Sequence, residues 1–190
     1  MEQKTNLKVN ENNELDITNN WQIYIFYFFI FSFLGWLLET TYSFIVLGHF
    51  VNRGFLYGPL CPIYGWGALI LIIFLGKFKK KPLKLFIYSS IIFSAFEYYV
   101  SYILEALFRE YWWDYSNDFM NLNGRISIFY TLAWGFIALI FIGYIFPFFE
   151  KKTNLVLSKI PERLKLIIPY ILIIIWLIDT ILSCISYIKF

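Results

Sequence analysis

Residues Trp21–Leu47 read WQIYIFYFFIFSFLGWLLETTYSFIVL, and Glu39 is the single charged residue in that run. Hydrocarbon offers no water to backbone amides, so a crossing helix takes ~20 mostly apolar residues. This stretch clears that length. Four more meet the same test, at 61–76, 85–108, 126–149 and 166–188; the second is the shortest and opens with Pro62. The expected fold is therefore all-α, an integral membrane bundle of about five transmembrane helices. Composition agrees. Of 190 residues, 59% are hydrophobic and 15% charged, against about a quarter charged in soluble domains. The mean hydropathy is +0.62. An aromatic share of 23% suits lipid interfaces and helix packing.

Residues 1–20 are polar, rich in Asn and Glu. They lack the basic start and small-residue cleavage site of a signal peptide, so the segment is expected to be a flexible cytoplasmic tail, with 21–190 as the transmembrane domain. Lys and Arg set the orientation. Connection 77–84 (KFKKKPLK) carries five lysines and no acid, and 150–165 (EKKTNLVLSKIPERLK) carries five basic residues. The alternate connections hold only Arg53, and Arg109 with Arg125. Positive loops stay in the cytoplasm. The N-terminus is thus expected inside a bacterial cell membrane and the C-terminus outside.

Both outer connections are unusual. Residues 48–67 read GHFVNRGFLYGPLCPIYGWG, too dense in Gly and Pro for ordinary helix. Such backbone at membrane depth must be buried in protein or line a wet cavity, so the segment is either re-entrant or a tight surface loop. Residues 109–125, REYWWDYSNDFMNLNGR, mix interfacial aromatics with Asp114, Asn117, Asp118, Asn121 and Asn123, which suit an interfacial anchor with Asx turns or a ligand surface.

Acids inside the spans carry more weight. A carboxylate at mid-membrane costs ~2.5–3.5 kcal/mol, so Glu39, Glu97, Glu105 and Asp179 are expected to face partners or water, Glu97 near the middle and the other three in the outer half. Glu97, Ser101 and Glu105 form one helix stripe rising ~12 Å, and Gly35, Glu39 and Ser43 form another. Arg53, Arg109 and Arg125 are the candidate counter-ions. Buried ion pairs that fix packing and a polar, outward-opening cavity are the two readings. A weak repeat links the halves: Glu39-x-x-x-Ser43, Asn52-Arg53-Gly54 and Trp66-Gly67 against Glu97-x-x-x-Ser101, Asn123-Gly124-Arg125 and Trp134-Gly135. It predicts two parallel hairpins plus a fifth helix, related about an axis along the membrane normal, with Glu39–Arg53 and Glu97–Arg125 as equivalent pairs.

Gly35-Trp36 with Glu39, the run NRGFLYGPLCPIYG at 52–65, then WWDYS and NLNGRIS together resemble the type IV ABC-transporter permease family of CmpB-like bacterial membrane proteins. The resemblance covers about 33–147. It implies a transport role and marks Gly35, Trp36, Glu39, Asn52, Arg53, Gly54, Gly58, Pro59, Pro62, Tyr64, Gly65, Trp113, Asp114, Tyr115, Gly124 and Arg125 as motif positions.

Three function classes follow. A transport subunit comes first; the chain has no G-x-x-x-x-G-K-[ST] phosphate loop, so ATP hydrolysis would need a separate ATPase subunit. Its grip is expected at 150–165, where Leu155, Val156, Ile160 and Leu164 could line a short in-plane helix. Five spans make a thin wall, so a homo-oligomer or larger complex is expected. A membrane-embedded enzyme acting on a lipid or polyprenyl head group is the alternative, although no Ser-His-Asp set or metal cluster is evident and His49 is the only histidine. An accessory or sensory membrane protein is the third. Cys61 and Cys184 make no disulfide framework. Nothing calls for a cofactor, a metal or nucleic acid; the lipid bilayer is an expected partner beside the ATPase subunit and further copies of the chain.

Overall fold

The computed structural model describes residues 21–188. Its helices are α1 (Trp21–Leu47), α2 (Pro62–Ile70), α3 (Pro82–Phe108), α4 (Ile128–Ile140), α5 (Phe146–Ser158) and α6 (Glu162–Tyr187). The expected tail at 1–20 lies outside the described residues. Among those described, the one non-helical pairing is an isolated bridge between Leu122 and Ile126.

Local chemistry explains the boundaries. Pro62 and Pro82 stand in the first turns of α2 and α3, where proline's fixed φ is preorganised and its missing N–H costs nothing. Helix α1 stops at Gly48, whose φ of +74° is left-handed, the usual glycine cap. Four helical stretches are long and apolar enough to cross a membrane: Trp21–Leu47, Pro82–Phe108, Ile128–Ser158 and Glu162–Tyr187. A fifth, Pro62–Phe78, is shorter, roughly 25 Å at 1.5 Å per residue.

One boundary departs from expectation. The fourth span does not end near Phe149; a π segment, Phe141–Ile145, joins α4 to α5, and the helix runs on to Ser158. Glu150, Lys151 and Lys152 are good helix formers, so the helix outlasts its apolar stretch. It breaks only before Pro161, which disfavours helix in the residue ahead of it. The in-plane helix expected over 150–165 is therefore absent. Leu155 and Val156 belong to the projecting end of α5, and both are exposed.

Packing follows the two hairpins, α1 with α2 and α3 with α4. Glycines set their closeness. A Cβ on Gly65 would strike Phe28 O of α1 at 2.6 Å, and one on Gly135 would strike Ser90 Oγ at 2.5 Å and the Phe86 ring at 2.6 Å. The hairpins meet in one core built from Tyr27, Phe31, Ala68, Leu71, Phe93 and Ala138 with their neighbours. A π segment from each hairpin, Leu71–Leu75 and Phe141–Ile145, enters that core with Leu71, Leu75, Phe141 and Ile142 buried. Helix α6 lies against α1, with Trp176 edge-on to Phe28. The result is an all-α bundle suited to span a membrane several times.

Candidate functional site

The two long connections meet at one end of the bundle. Phe55 of the first packs on Phe108 at the end of α3, on Trp112 of the second and on Tyr187 at the end of α6. Beneath this aromatic cover lie the acids singled out from sequence.

In the first hairpin the chain after Gly48 turns back and descends beside α1. Asn52 Oδ1 accepts from Trp36 Nε1 at 2.7 Å, and Ser32 O accepts from Cys61 N at 3.0 Å. Ser32 lies about 22 Å below the end of α1 by helix rise, so this return is irregular chain within the length of the span, with no helix of its own. That is why α2 is short. Backbone there needs partners, and α6 provides them. Asp179 Oδ1 accepts from Tyr57 N at 3.0 Å and Asp179 Oδ2 from Gly58 N at 2.9 Å. A Cβ on Gly58 would sit 2.8 Å from that carboxylate, which accounts for the glycine. Ser183 Oγ adds a bond to Asp179 at 3.3 Å. Gly54 adopts φ +101° with its open side against Cys61 Sγ, 2.7 Å from where a Cβ would stand. Pro59 and Pro62 flank Leu60 and Cys61 where the chain enters α2. Glu39 accepts from the Tyr64 hydroxyl of α2. Arg53 Nε donates to Ser43 Oγ at 2.5 Å.

The second hairpin is built alike and closed differently. Glu97, 5% exposed, accepts from Trp134 Nε1 at 2.8 Å and from the Tyr115 hydroxyl at 2.9 Å. Arg125 bonds Glu105 and, at 3.3 Å, Ser101 Oγ, and stands 5.6 Å from the centres of both the Tyr98 and Tyr102 rings. Tyr111 also donates to Glu105, and that bond raises the Tyr111 hydroxyl above its ordinary pKa. The connection satisfies itself. Asp114 Oδ1 accepts from Ser116 N at 2.9 Å and Ser116 Oγ at 2.5 Å, which lowers its carboxyl below the usual range. Gly124, at φ +67°, lies where a Cβ would come 2.7 Å from Asp114 Oδ1. Trp113 Nε1 donates to Arg125 O at 3.0 Å.

The anticipated pairing changes accordingly. Glu39–Arg53 and Glu97–Arg125 are not ion pairs; each arginine reaches the serine four residues beyond its glutamate, and Arg125 takes Glu105 as its counter-ion. The reason is reach: each glutamate is already held by an aromatic donor from the facing helix. The repeat itself sharpens. A shift of 58 residues carries Phe28, Ser32, Glu39 and Ser43 onto Phe86, Ser90, Glu97 and Ser101, and a shift of 70 carries Tyr64 and Gly65 onto Trp134 and Gly135. The residues matching Trp134-Gly135 are thus Tyr64-Gly65, not Trp66-Gly67.

Tyr115 bonds Glu97, and its hydroxyl is raised above its ordinary pKa first by burial, then by the Glu97 charge, with Glu39 contributing as well. The role of Asp179 as anchor of the first connection escaped the sequence reading, although Asp179-x-x-x-Ser183 repeats the acid–serine spacing of the other two. Among the described residues, no three His, Cys, Asp or Glu side chains converge as a metal site. A cavity of about 110 Å³ lies between the first connection and α6, lined by Asn52, Gly54, Tyr57 and Ser183 among others.

No curated protein and no solved structure matches the chain. Residues 26–184, nearly the whole bundle, match the family described as "Putative ABC-transporter type IV", and the chain belongs to that family.

Proposed function

We propose that this protein is the membrane-embedded transport subunit of an ABC-type system, with its N-terminus in the cytoplasm and its substrate path at the loop end of the bundle. The observation that carries this reading is the doubled acid site. Glu39 and Glu97 occupy matching positions on two hairpins, and each is held by a neutral aromatic donor, Tyr64 or Trp134, from the facing helix. Parallel repeats around a shared polar centre are a construction that transporters use. An intramembrane carboxylate is costly and rare, and it is read by default as part of a substrate or ion path. Family membership supports the same role.

ATP hydrolysis would come from an ATPase unit outside these residues, which hold no phosphate loop. Its contact belongs at the opposite end of the bundle, on the projecting turns of α5 with Lys151 and Lys152 and on the lysine-rich turn before α3. The orientation rests on these lysines.

Purification from native membrane in mild detergent, followed by intact mass measurement, tests the assignment. A stoichiometric ATPase partner is expected, and reversing charge with Lys151→Glu and Lys152→Glu should release it while the subunit stays folded. A homo-oligomer with no partner would overturn ABC coupling. Substrate flux in vesicles should fall at least tenfold in Glu97→Gln; unchanged flux would sink the acid site as the path.

A further inference from the structure

The two hairpins differ at one place where their symmetry predicts a charge. Shifting α3 back onto α1 by 58 residues places Ser101 on Ser43 and Glu105 on Leu47. Arg125 bonds both Ser101 and Glu105. Arg53 also bonds the matching serine, Ser43, but through Nε, whereas Arg125 uses a terminal guanidinium nitrogen for Ser101; at the last position of α1 the sequence has Leu47 where the second hairpin has the carboxylate of Glu105. Among the described residues the ion pairs are Arg125–Glu105 and Lys165–Glu162, and Arg53 has none. Nor does Arg53 have the ring support that Tyr98 and Tyr102 give Arg125. Thr40 stands at the position matching Tyr98; it is 6% exposed and its hydroxyl has no partner among the described residues.

The planar guanidinium fork matches a two-oxygen acceptor. With Nε committed to Ser43, the outer edge of the fork remains for a second acceptor. In the second hairpin that acceptor is a carboxylate from the chain itself. We infer that in the first hairpin it is supplied by a ligand: Arg53, positioned by Ser43, binds a phosphate-type oxyanion in the place that Glu105 fills beside Arg125. The anion is either free phosphate or the phosphate ester of a lipid head group, since the site lies at the end of α1.

This deepens the transport reading of the same loop end, yet the two fail separately, because binding is measured on purified protein without turnover. Two probes are used: inorganic phosphate titrated calorimetrically into detergent-purified protein, and phosphatidylglycerol retained from mixed phosphatidylcholine nanodiscs, counted by native mass spectrometry. Wild type should bind at least one. Retention of phosphatidylglycerol without phosphate binding assigns the head group, and binding of inorganic phosphate assigns the free anion. Arg53→Gln should weaken binding at least tenfold. Leu47→Glu is the sharper variant. It installs the carboxylate that the second hairpin carries, pairs with Arg53 and should displace either probe with no loss of thermal stability. Wild type binding neither probe, or Leu47→Glu and Arg53→Gln binding as wild type does, overturns the site.

Discussion

The connection between α1 and α2 borrows its backbone partners from another helix, whereas the connection between α3 and α4 supplies its own. In the first, consecutive amides of Tyr57 and Gly58 end on Asp179 of α6. In the second, Tyr115 N reaches Gly124 O, Leu122 N reaches Ile126 O, and Asn121 bonds the backbone of Ser116, Asp118 and Gly124. Below the connections the hairpins match at a few chosen positions, Phe28 with Phe86, Ser32 with Ser90, Glu39 with Glu97 and Ser43 with Ser101; above them each sets an arginine on a serine. The helical register is therefore the common scaffold, and the connections are where each half acquired its own task. A chain that reads its loop through a neighbouring helix also couples that loop to any movement of the neighbour.

The comparison can be broken first at the glycines. Gly65→Ala would drive a methyl against Phe28 O, a backbone atom that cannot turn aside, and should cost about 3 kcal/mol, the upper part of the overpacking range. Gly135→Ala meets the Ser90 hydroxyl and the Phe86 ring, side chains that can yield, and should cost about 1 kcal/mol. Thermal unfolding of both variants in one detergent decides it; equal losses would mean that the two seams are not held differently.

Asp179 comes next. Asp179→Leu removes a carboxylate that accepts two backbone amides, at about 2 kcal/mol for lost charge-assisted bonds. Its signature is spatial: hydrogen exchange should accelerate over 52–60 and leave 114–126 unchanged. Acceleration in both would show that the second connection also depends on α6. A smaller contrast lies at the acids. Trp134→Phe strips one of two donors from buried Glu97 and should cost roughly 1 kcal/mol, while Tyr64→Phe beside half-exposed Glu39 should cost less, because water replaces the donor. Urea or thermal melts that rank them in reverse would count against the burial argument.

Much of this was legible in the sequence. The four long spans follow from apolar length, and Glu39, Ser43, Glu97, Ser101 and Glu105 fall on buried or half-buried stripes because helix period leaves little choice. The resemblance carried by 52–65 pointed at the family that residues 26–184 match. What sequence could not supply was distance across helices. Nothing in the spacing of Glu39 and Arg53 says that Tyr64 arrives first, and nothing local says that Asp179, more than a hundred residues away, caps Gly58. The end of the fourth span was misplaced for a related reason: hydropathy falls at Glu150, but helix propensity does not, and the helix obeys the second.

The smallest effect separates the connections by pH. Hydrogen bonds from Ser116, side chain first and then backbone, hold the Asp114 carboxyl below its usual range. A depressed carboxyl stabilises the folded form fully above its unfolded value, about 3.9 for aspartate, and that contribution is lost as pH falls through the lower folded value. The 109–127 turn should therefore loosen only in acid, below about pH 4. Asp114 is exposed, so screening keeps the effect small. The Ser116 amide resonance should report it as a single titration step under that pH, and Asp114→Asn should flatten the step because an amide keeps its oxygen acceptor at every pH. A step that survives in Asp114→Asn would assign it to another acid and leave the second connection no more self-contained than the first.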